Sequence, residues 1–198
     1  MTKKQLEMKL QQLKPFEGRN PRLEQYPTPA GIAADLLWEA YGAGDIEGKA
    51  VADLGCGNGV FCIGAALLGA ERTVGVDADE RAVKVASENA KSLSLDIDFV
   101  PIDVSAFAGS FDTTVQNPPF GAQLRHADRA FIEKAIEISP VAYSLHNEVT
   151  LDFVTKMAEA LGASCILVKR YKFEIPYAFE FHRKTKGVVS VVLLKFQR

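Results

Sequence analysis

Short apolar runs and amphipathic stretches alternate along most of this 198-residue chain. Apolar, β-branched and aromatic residues between turn residues predict strands at 50–54, 72–76, 97–102, 111–116, 141–145, 164–169 and 188–196. A period of 3.6 residues predicts helices at 3–13, 29–41, 60–69, 79–93, 128–138 and near 150–161. Strands and helices in alternation indicate an α/β fold, with a parallel seven-stranded sheet and helices on both faces. The last two runs have no evident helix between them and are expected to be antiparallel.

Local signals also predict where the first two helices begin. Thr2 is expected to cap the helix at 3–13, and Thr28 to cap the next one with Pro29 in its first helical position. The chain contains no internal repeat, low-complexity segment or evident linker. A length of 198 residues with 47% hydrophobic content suits one well-buried domain.

Composition excludes several classes of protein. No apolar run reaches the length of a membrane span, and the N-terminus lacks the apolar core of a secretory signal, so we expect a cytoplasmic protein without membrane contact. Cys56, Cys62 and Cys165 are scattered and without zinc-type spacing, which favours reduced thiols. The three histidines, including His146 at a predicted strand end, are too far apart in sequence to propose as metal ligands.

The net charge of −2 hides an uneven distribution. Residues 1–23 carry six Lys and Arg against two acids, and residues 169–198 carry eight against two. Residues 24–168 carry nine basic residues against twenty-one acids. An acidic body with two basic ends suits a polyanion held by the ends, although lysines on a solvated surface explain the same pattern.

The segment Asn117-Pro118-Pro119-Phe120 follows the predicted strand at 111–116. The Asn117 side-chain oxygen and the Pro118 backbone oxygen are two acceptors that suit an NH2 group on a planar ring, and Phe120 offers a face for stacking. The two prolines fix two φ angles, so little backbone entropy remains to be lost on binding. On its own, the segment is equally well explained by a proline-rich turn. The motifs that precede it decide between the two interpretations.

A glycine-rich loop, Asp53-Leu54-Gly55-Cys56-Gly57-Asn58-Gly59, lies between a predicted strand and a predicted helix. Its alternate glycines allow the backbone to approach a ligand closely, and the helix N-terminus adds its dipole. The dinucleotide fingerprint would place a third glycine at Val60. Asp53 would also repel a pyrophosphate, since both are negatively charged, but it suits a cationic ligand such as the amino-acid part of S-adenosylmethionine.

Two further acids follow the next two strands. Asp77 can accept both hydroxyls of a ribose, Asp103 can accept an adenine amino group, and Val104 adds a backbone N–H and apolar surface. Because the carboxyl ends of parallel strands meet at one edge of a sheet, these acids and Asp53 are expected to point into one crevice. A lone Asp at such a position is more often a helix N-cap. Three in this order, after a glycine loop, favour a cofactor site.

The ordered set from Asp53 to Phe120 resembles the class I S-adenosylmethionine-dependent methyltransferases, in the N-P-P-F form that methylates exocyclic amines. The chain is also similar to the archaeal and eukaryotic methyltransferase-like family that makes N6-methyladenosine in small-subunit ribosomal RNA. This second likeness spans nearly the whole chain and rests on Gln25-Tyr26-Pro27-Thr28, Tyr143-Ser144-Leu145-His146 and Phe181-His182-Arg183-Lys184.

The resemblance implies the Rossmann-like class I methyltransferase fold in a single domain at 1–198. Residues 1–48 would form an N-terminal helical segment over cofactor and substrate, and residues 49–198 the catalytic core. The implied cofactor is S-adenosyl-L-methionine, with S-adenosyl-L-homocysteine as product and no metal. Its expected contacts, with those from the glycine loop, are Gln25, Thr28, Asp53, Gly55, Gly57, Asn58, Val60, Asp77, Asp103 and Val104.

The resemblance further implies that Asn117, Pro118, Pro119 and Phe120 carry the transfer of a methyl group to the N6 amine of adenosine in RNA, above all rRNA. Other readings stay open. A protein glutamine amide, guanine N2 and DNA adenine are permitted by the same motif, although Tyr is more usual at its fourth position in glutamine methyltransferases. A fold that binds a partner without catalysis and a dehydrogenase are the alternatives outside this chemistry.

Two partner surfaces are expected. Near the C-terminus, cations and aromatics interleave in a way that suits contact with an RNA backbone and bases: Lys169, Arg170, Tyr171, Lys172, Phe173, Tyr177, Phe179, Phe181, Arg183, Lys184 and Lys186. At least half of these aromatics are equally well explained as core residues. The third strand, at 96–100, is expected at a sheet edge, which invites pairing with another chain. The resembled eukaryotic family works with a small zinc-binding activator subunit, for which this edge is the expected site.

Overall fold

The structure is a computed structural model that describes residues 1–16, 28–120, 128–176 and 186–198, without the side chains of 173–176 and 186–189. The described residues form six α-helices and seven strands. The helices are α1 (Lys3–Leu10), α2 (Ala30–Gly42), α3 (Val60–Leu67), α4 (Glu80–Ser92), α5 (Arg129–Ile138) and α6 (Leu151–Ala160). The strands are β1 (Ala50–Leu54), β2 (Arg72–Asp77), β3 (Asp98–Pro101), β4 (Thr113–Gln116), β5 (Val141–Asn147), β6 (Ser164–Pro176) and β7 (Lys186–Gln197).

The strands make one seven-stranded sheet in the order β3-β2-β1-β4-β5-β7-β6. Neighbouring strands from β3 to β5 are parallel, while β7 is antiparallel to both β5 and β6. The predicted α/β architecture and its antiparallel close are therefore confirmed. The chain order reverses between β1 and β4, and in open parallel sheets ligands bind beyond the carboxyl ends of the strands at such a switch point.

Two hydrophobic clusters cover the two faces of the sheet. Leu6 of α1, Leu37 of α2 and Ile63 of α3 pack with Val51 on one face. Ile132 of α5 and α6 residues such as Val154 pack on the other. Strands β1 and β4 lie in the middle of the sheet with both faces covered, which holds their carboxyl ends in fixed positions.

Two differences from the sequence prediction have clear physical reasons. Thr2 caps α1 in a complete capping box, as predicted. The second helix, however, begins at Ala30 with Pro29 as its cap residue and no side-chain capping bond, because the Thr28 hydroxyl has another partner. Strands β6 and β7 are also longer than their apolar runs, because their ladder continues past the end of β5.

Candidate functional site

Three buried side-chain oxygens have no hydrogen-bond partner in the described part of the chain. They are Asp53 Oδ1, Gln116 Oε1 and Asn117 Oδ1. Asp53 is in β1, Gln116 ends β4 and Asn117 follows it, and the register of the two strands pairs Leu54 with Gln116. Leaving a buried acceptor unpaired costs about 1–3 kcal/mol. The Asp53 and Asn117 oxygens at the switch point indicate a ligand that would supply the missing donors, whereas Gln116 binds Ser144 on the face of the sheet covered by α5.

Asn117 is held in one orientation by the segment that enters α2. Its Nδ2 donates to Thr28 Oγ1 over 2.9 Å, a contact that joins residues 89 positions apart. The side-chain Oδ1 is buried and has no partner among the described residues. Thr28 therefore fixes which end of the amide faces the free side, and the oxygen remains available as an acceptor.

The rest of the acceptor segment is shaped by packing. Pro118 is buried and Pro119 and Phe120 are half-buried. Phe120 packs against the hydrophobic cluster on the α1–α3 face of the sheet. One side of the Phe120 ring is thereby supported by the core, and the structure brings Asn117 and Phe120 to the same end of β4.

The glycine loop approaches open space at one residue. Gly55, Gly57 and Gly59 all have positive φ angles, of 73°, 53° and 84°. A Cβ at Gly55 would lie 3.1 Å from the Phe131 ring, and one at Gly59 would lie 3.1 Å from Ala86 Cβ, whereas one at Gly57 would meet nothing within 4 Å. The room beside Gly57 is where a ligand can touch the backbone of the loop.

Asp53 is the most buried acid of the site, with none of its surface exposed. The Cys62 N–H, in the first turn of α3, donates to Asp53 Oδ2 over 3.2 Å, and Oδ1 has no partner among the described residues. Burial raises the pKa of Asp53 to about 7, against the effect of the Cys62 bond, and the nearby Asp77 raises it further. A cation placed beside Oδ1 would reverse this shift.

The acids after β2 and β3 are tied to the backbone but keep acceptor capacity. The N–H groups of Gly57 and Asp79 each donate over 2.9 Å to a different oxygen of Asp77, and burial raises the pKa of that carboxyl. Asp103 Oδ1 accepts from both the hydroxyl and the N–H of Ser105, which lowers the pKa of Asp103. Asp103 Oδ2 is left without a bond in the described part of the chain. The N-cap interpretation thus holds for one oxygen of Asp103 and leaves the other for a ligand.

The remaining predicted contacts fall into three groups. Val60 and Val104 are buried at the starts of their helices and offer apolar surface. The Asn58 side chain donates to the Lys14 backbone oxygen over 3.2 Å, so its amide nitrogen anchors the N-terminal segment. Gln25 lies outside the described residues.

A chain of buried polar groups was not predicted from the sequence. Gln116 Nε2 donates to Ser144 Oγ over 3.0 Å, and Ser144 Oγ lies 2.6 Å from His146 Nε2. Burial lowers the pKa of His146 to about 3, so the ring is neutral at physiological pH. The signal that could have revealed this chain is the period of two: Ser144 and His146 alternate along β5, and Gln116 pairs with Ser144.

Two classes of site are not found in the described residues. Those residues contain no cluster of His, Cys, Asp or Glu able to hold a metal ion. Nor does this part of the chain contain a helix of the length and apolar character needed to span a bilayer.

Comparison with known proteins identifies the class of site. Residues 32–175 match the family model described as methyltransferase small domain. The chain is 38% identical to the rRNA N6-adenosine methyltransferase METTL5 of Danio rerio, over 99% of both chains. It is 37% identical to the corresponding protein of Drosophila melanogaster, over 98% of this chain and 95% of the other. A crystal structure of a candidate RNA methyltransferase from Pyrococcus horikoshii superposes with a TM-score of 0.93 at 43% identity, over 100% of this chain and 98% of the other.

Proposed function

Because this chain belongs to the methyltransferase small domain family, we propose that it methylates the N6 amine of an adenosine in ribosomal RNA, with the small-subunit rRNA as target. The chain is a class I S-adenosylmethionine-dependent methyltransferase, as its family, fold and full-length relatives show. The observation that carries the choice of an amine acceptor is the buried, unpaired Asn117 Oδ1.

The crevice offers a suitable partner to each chemical part of the methyl donor. The unpaired Asp53 Oδ1 suits a cationic amino-acid part, and the open space beside Gly57 admits a ligand against the loop. Asp77 has lone pairs left for ribose hydroxyls, and Asp103 Oδ2 is free for an adenine amine. When bound, S-adenosylmethionine supplies an electrophilic methyl group on its sulfonium sulfur.

The acceptor segment activates the amine by hydrogen bonding. An adenine N6 is a poor nucleophile because its lone pair is delocalised into the ring. Asn117 Oδ1 accepts one N6–H and the Pro118 carbonyl accepts the other, which draws the nitrogen towards tetrahedral geometry and frees the lone pair. Phe120 stacks on the ring and offsets part of the cost of taking the base out of its stack. Preorganised acceptors and positioning supply the catalysis, and no strong general base is needed.

RNA contact is supported by the ribbon that β6 and β7 form beyond β5. Asn147, the last residue of β5, pairs with Val191, and five further pairs from Lys172 with Ser190 to Pro176 with Lys186 continue on the same side. At about 3.3 Å per residue the ribbon extends roughly 15 Å past the carboxyl edge on which Asn117 lies. The ribbon thus projects from the same edge of the sheet as the acceptor segment, with β5 between β4 and β7, which supports contact with a long substrate.

The basic and aromatic residues of this region are only partly available. Lys169 and Tyr171 bind Asp35, and Arg170 binds Glu148 over 2.7 Å, so these three are engaged within the protein. Lys172 is exposed and has no ion-pair partner in the described residues. Phe173 and Lys186 lie in the ribbon without described side chains. The remaining members of the predicted group, Tyr177, Phe179, Phe181, Arg183 and Lys184, lie outside the described residues.

An activator subunit is supported by one structural feature. Strand β3 is at the edge of the sheet beside β2, where the sequence places it. Phe99 and Val100 are only half-buried there. A partner that adds a strand or packs on this edge would cover them, and the proposed partner is the small zinc-binding subunit implied by the family resemblance.

The test is to mix the protein with rRNA and labelled S-adenosylmethionine, digest the RNA and identify the modified nucleoside by mass. We expect N6-methyladenosine in the wild type and a fall in turnover of about 10²- to 10³-fold in Asn117→Ala, with unchanged affinity for the donor. Label in N2-methylguanosine or in a protein glutamine would reject the adenosine assignment.

The matched control is Asn147→Ala. Asn147 is also half-buried at the carboxyl end of a parallel strand, and its side chain accepts the Val149 N–H over 3.2 Å. Asn147→Ala removes one side-chain hydrogen bond, as Asn117→Ala does, but it lies outside the acceptor segment, so turnover is expected to stay near that of the wild type. Equal turnover in the two variants would show that Asn117 is not the acceptor of the amine hydrogen.

A further inference from the structure

A line of buried polar side chains runs across the carboxyl ends of β4 and β5, on the face covered by α5. Gln116 and Ser144 are 0% exposed and His146 is 1% exposed. They are joined by contacts of 3.0 Å and 2.6 Å, and His146 Nδ1 lies 3.9 Å from Asp128 Oδ2. Asp128 is itself buried and is the residue from which α5 begins. No step of the methyl transfer uses these groups.

One assignment of the hydrogen atoms satisfies Ser144 and His146 together. Ser144 Oγ accepts the Gln116 Nε2–H, so its own hydrogen is free to donate to His146 Nε2. The neutral ring then carries its hydrogen on Nδ1, on the side of the Asp128 carboxylate. Hydrogen bonds thus join Gln116 to Ser144 and Ser144 to His146, and the His146 ring faces Asp128 across 3.9 Å.

One end of the line adjoins the acceptor segment, because Gln116 is adjacent in sequence to Asn117. We propose that Gln116, Ser144 and His146 form a positioning network that holds the end of β4, and with it Asn117 and Pro118, in fixed register with β5. The inference deepens the proposed function, because it rests on Asn117 as the acceptor of the amine.

Energetics favour a role in positioning over one in stability alone. The same face of the sheet is packed with apolar side chains such as Ala142, Val192 and Leu194. Apolar residues in place of a buried polar group are often neutral or stabilising. The network also leaves Gln116 Oε1 without a partner, at a cost to stability. Directional bonds, which apolar packing lacks, specify one position for the end of β4.

The chain contains a matched pair of serines for the test. Ser139 is 2% exposed, on the same side of the sheet, and its Oγ lies 2.8 Å from Thr114 Oγ1 on β4. It ties β4 to the start of β5 at the amino end, as Ser144 ties the two strands at the carboxyl end. Ser139→Ala and Ser144→Ala therefore each remove one buried hydroxyl between the same elements.

The measurement compares kcat, donor Kd and melting temperature in the two variants. We expect similar falls in melting temperature and unchanged donor Kd in both, with a fall in kcat of about ten-fold in Ser144→Ala only. Small displacements of reacting groups are enough, since an error of 1 Å costs on the order of 10²-fold. Equal kcat values in the two serine variants would overturn the proposal.

A pair of substitutions at His146 keeps the proposal testable if Ser144→Ala does not fold. His146→Gln retains an acceptor near the position of Nε2, whereas His146→Asn is too short to reach Ser144. We expect His146→Gln to keep kcat within about three-fold of the wild type and His146→Asn to lose about ten-fold. Equal kcat in these two variants also contradicts the network. If the wild-type product is not N6-methyladenosine, the proposed substrate fails, while the serine and histidine comparisons still decide the network.

Discussion

Asp35 on α2 and Asp53 on β1 are both buried aspartates, but their surroundings differ. Asp35 is 6% exposed and binds Lys3, Lys169 and Tyr171, with contacts of 2.5 Å to Lys169 Nζ and 2.8 Å to the Tyr171 hydroxyl. Asp53 is 0% exposed and accepts a single N–H, from Cys62. One carboxylate has its partners inside the protein, and the other does not.

The pKa values of the two acids move in opposite directions. Burial acts to raise the pKa of Asp35, but the bonds from Lys169, Lys3 and Tyr171 together hold it below its ordinary value. Burial raises the pKa of Asp53 to about 7, because the interactions with the Cys62 N–H and thiol do not offset it. Asp35 therefore joins α1, α2 and β6 as part of the scaffold, whereas Asp53 is held in an unfavourable state that a cationic ligand would relieve.

Two asparagines show the same contrast. Asn89 on α4 is 2% exposed and makes three bonds, accepting the Lys14 N–H and donating to the backbone oxygens of Lys14 and Asn58. Asn117 uses its Nδ2 on Thr28 and leaves Oδ1 unpaired. In this protein the completeness of a buried group's partners, more than its residue type, separates scaffold from site.

The largest expected effect comes from breaking the cluster that Asp35 forms with its lysine and tyrosine partners. Asp35→Asn leaves Lys3 and Lys169 without their buried counter-charge, so we expect the free energy of unfolding at pH 7 to fall by about 3 kcal/mol. Because the folded pKa of Asp35 is lowered, its contribution is present above the ordinary pKa of 3.8 and is lost as the pH falls through the folded value. Urea unfolding measures both effects.

The control for this change is Asp96→Asn, an exposed aspartate that should alter stability by less than about 0.5 kcal/mol. Where the folded Asp35→Asn variant is assayed below its melting transition, its kcat should match that of the wild type. A large loss of kcat without a loss of stability would remove Asp35 from the scaffold.

The second change, Asp53→Asn, removes the charge of the buried acid that lacks partners. The folded pKa of Asp53, about 7, lies above its ordinary value of 3.8, so the folded state binds a proton more tightly and stability falls as the pH rises towards 7. Between pH 5 and pH 8 the loss is about 3 kcal/mol. Asp53→Asn keeps an oxygen for the Cys62 N–H and cannot ionise, so it should lose this pH dependence and be more stable than the wild type at pH 8.

The same variant is expected to bind S-adenosylmethionine at least about ten-fold more weakly, because it lacks the negative charge beside a cationic ligand. Urea unfolding at pH 5 and pH 8 and calorimetric titration of the donor check the two halves of the prediction. If Asp53→Asn is destabilised at pH 8 as Asp35→Asn is, Asp53 belongs to the scaffold and the comparison fails.

Local sequence signals predicted the order and type of elements because strand and helix periodicities are properties of neighbouring residues. The runs at 50–54 and 141–145 became β1 and most of β5. The ribbon formed by β6 and β7 extends past its apolar runs, since its strands pair with each other beyond the edge of the core. The periodicity of hydrophobic residues therefore does not predict where such a pair of strands ends.

The sequence shows the candidate members of the site but not the partners that these residues have in the fold. The spacing of the glycine loop and of the acids after β2 and β3 is visible along the chain. The contact of Thr28 with Asn117 joins residues 89 positions apart, and that of Tyr171 with Asp35 joins residues 136 apart. Whether a buried acid is saturated or unpaired depends on such contacts. For that reason, the difference between Asp35 and Asp53 appears only in the fold.

The smallest expected effect concerns Thr28, which sets the orientation of the unpaired group at Asn117. In Thr28→Val, the valine side chain has nearly the same shape as threonine but no oxygen to accept the Asn117 Nδ2–H, so the amide loses its fixed orientation. We expect kcat to fall about ten-fold, which corresponds to an increase of roughly 1.4 kcal/mol in the activation barrier. Thr28→Ser keeps the hydroxyl and should stay within about two-fold of the wild type. Single-turnover rates and donor Kd separate two roles for this residue. A slower chemical step with unchanged donor Kd shows that the Thr28 hydroxyl acts through Asn117. A rise in donor Kd with an unchanged chemical step would instead make Thr28 a cofactor contact.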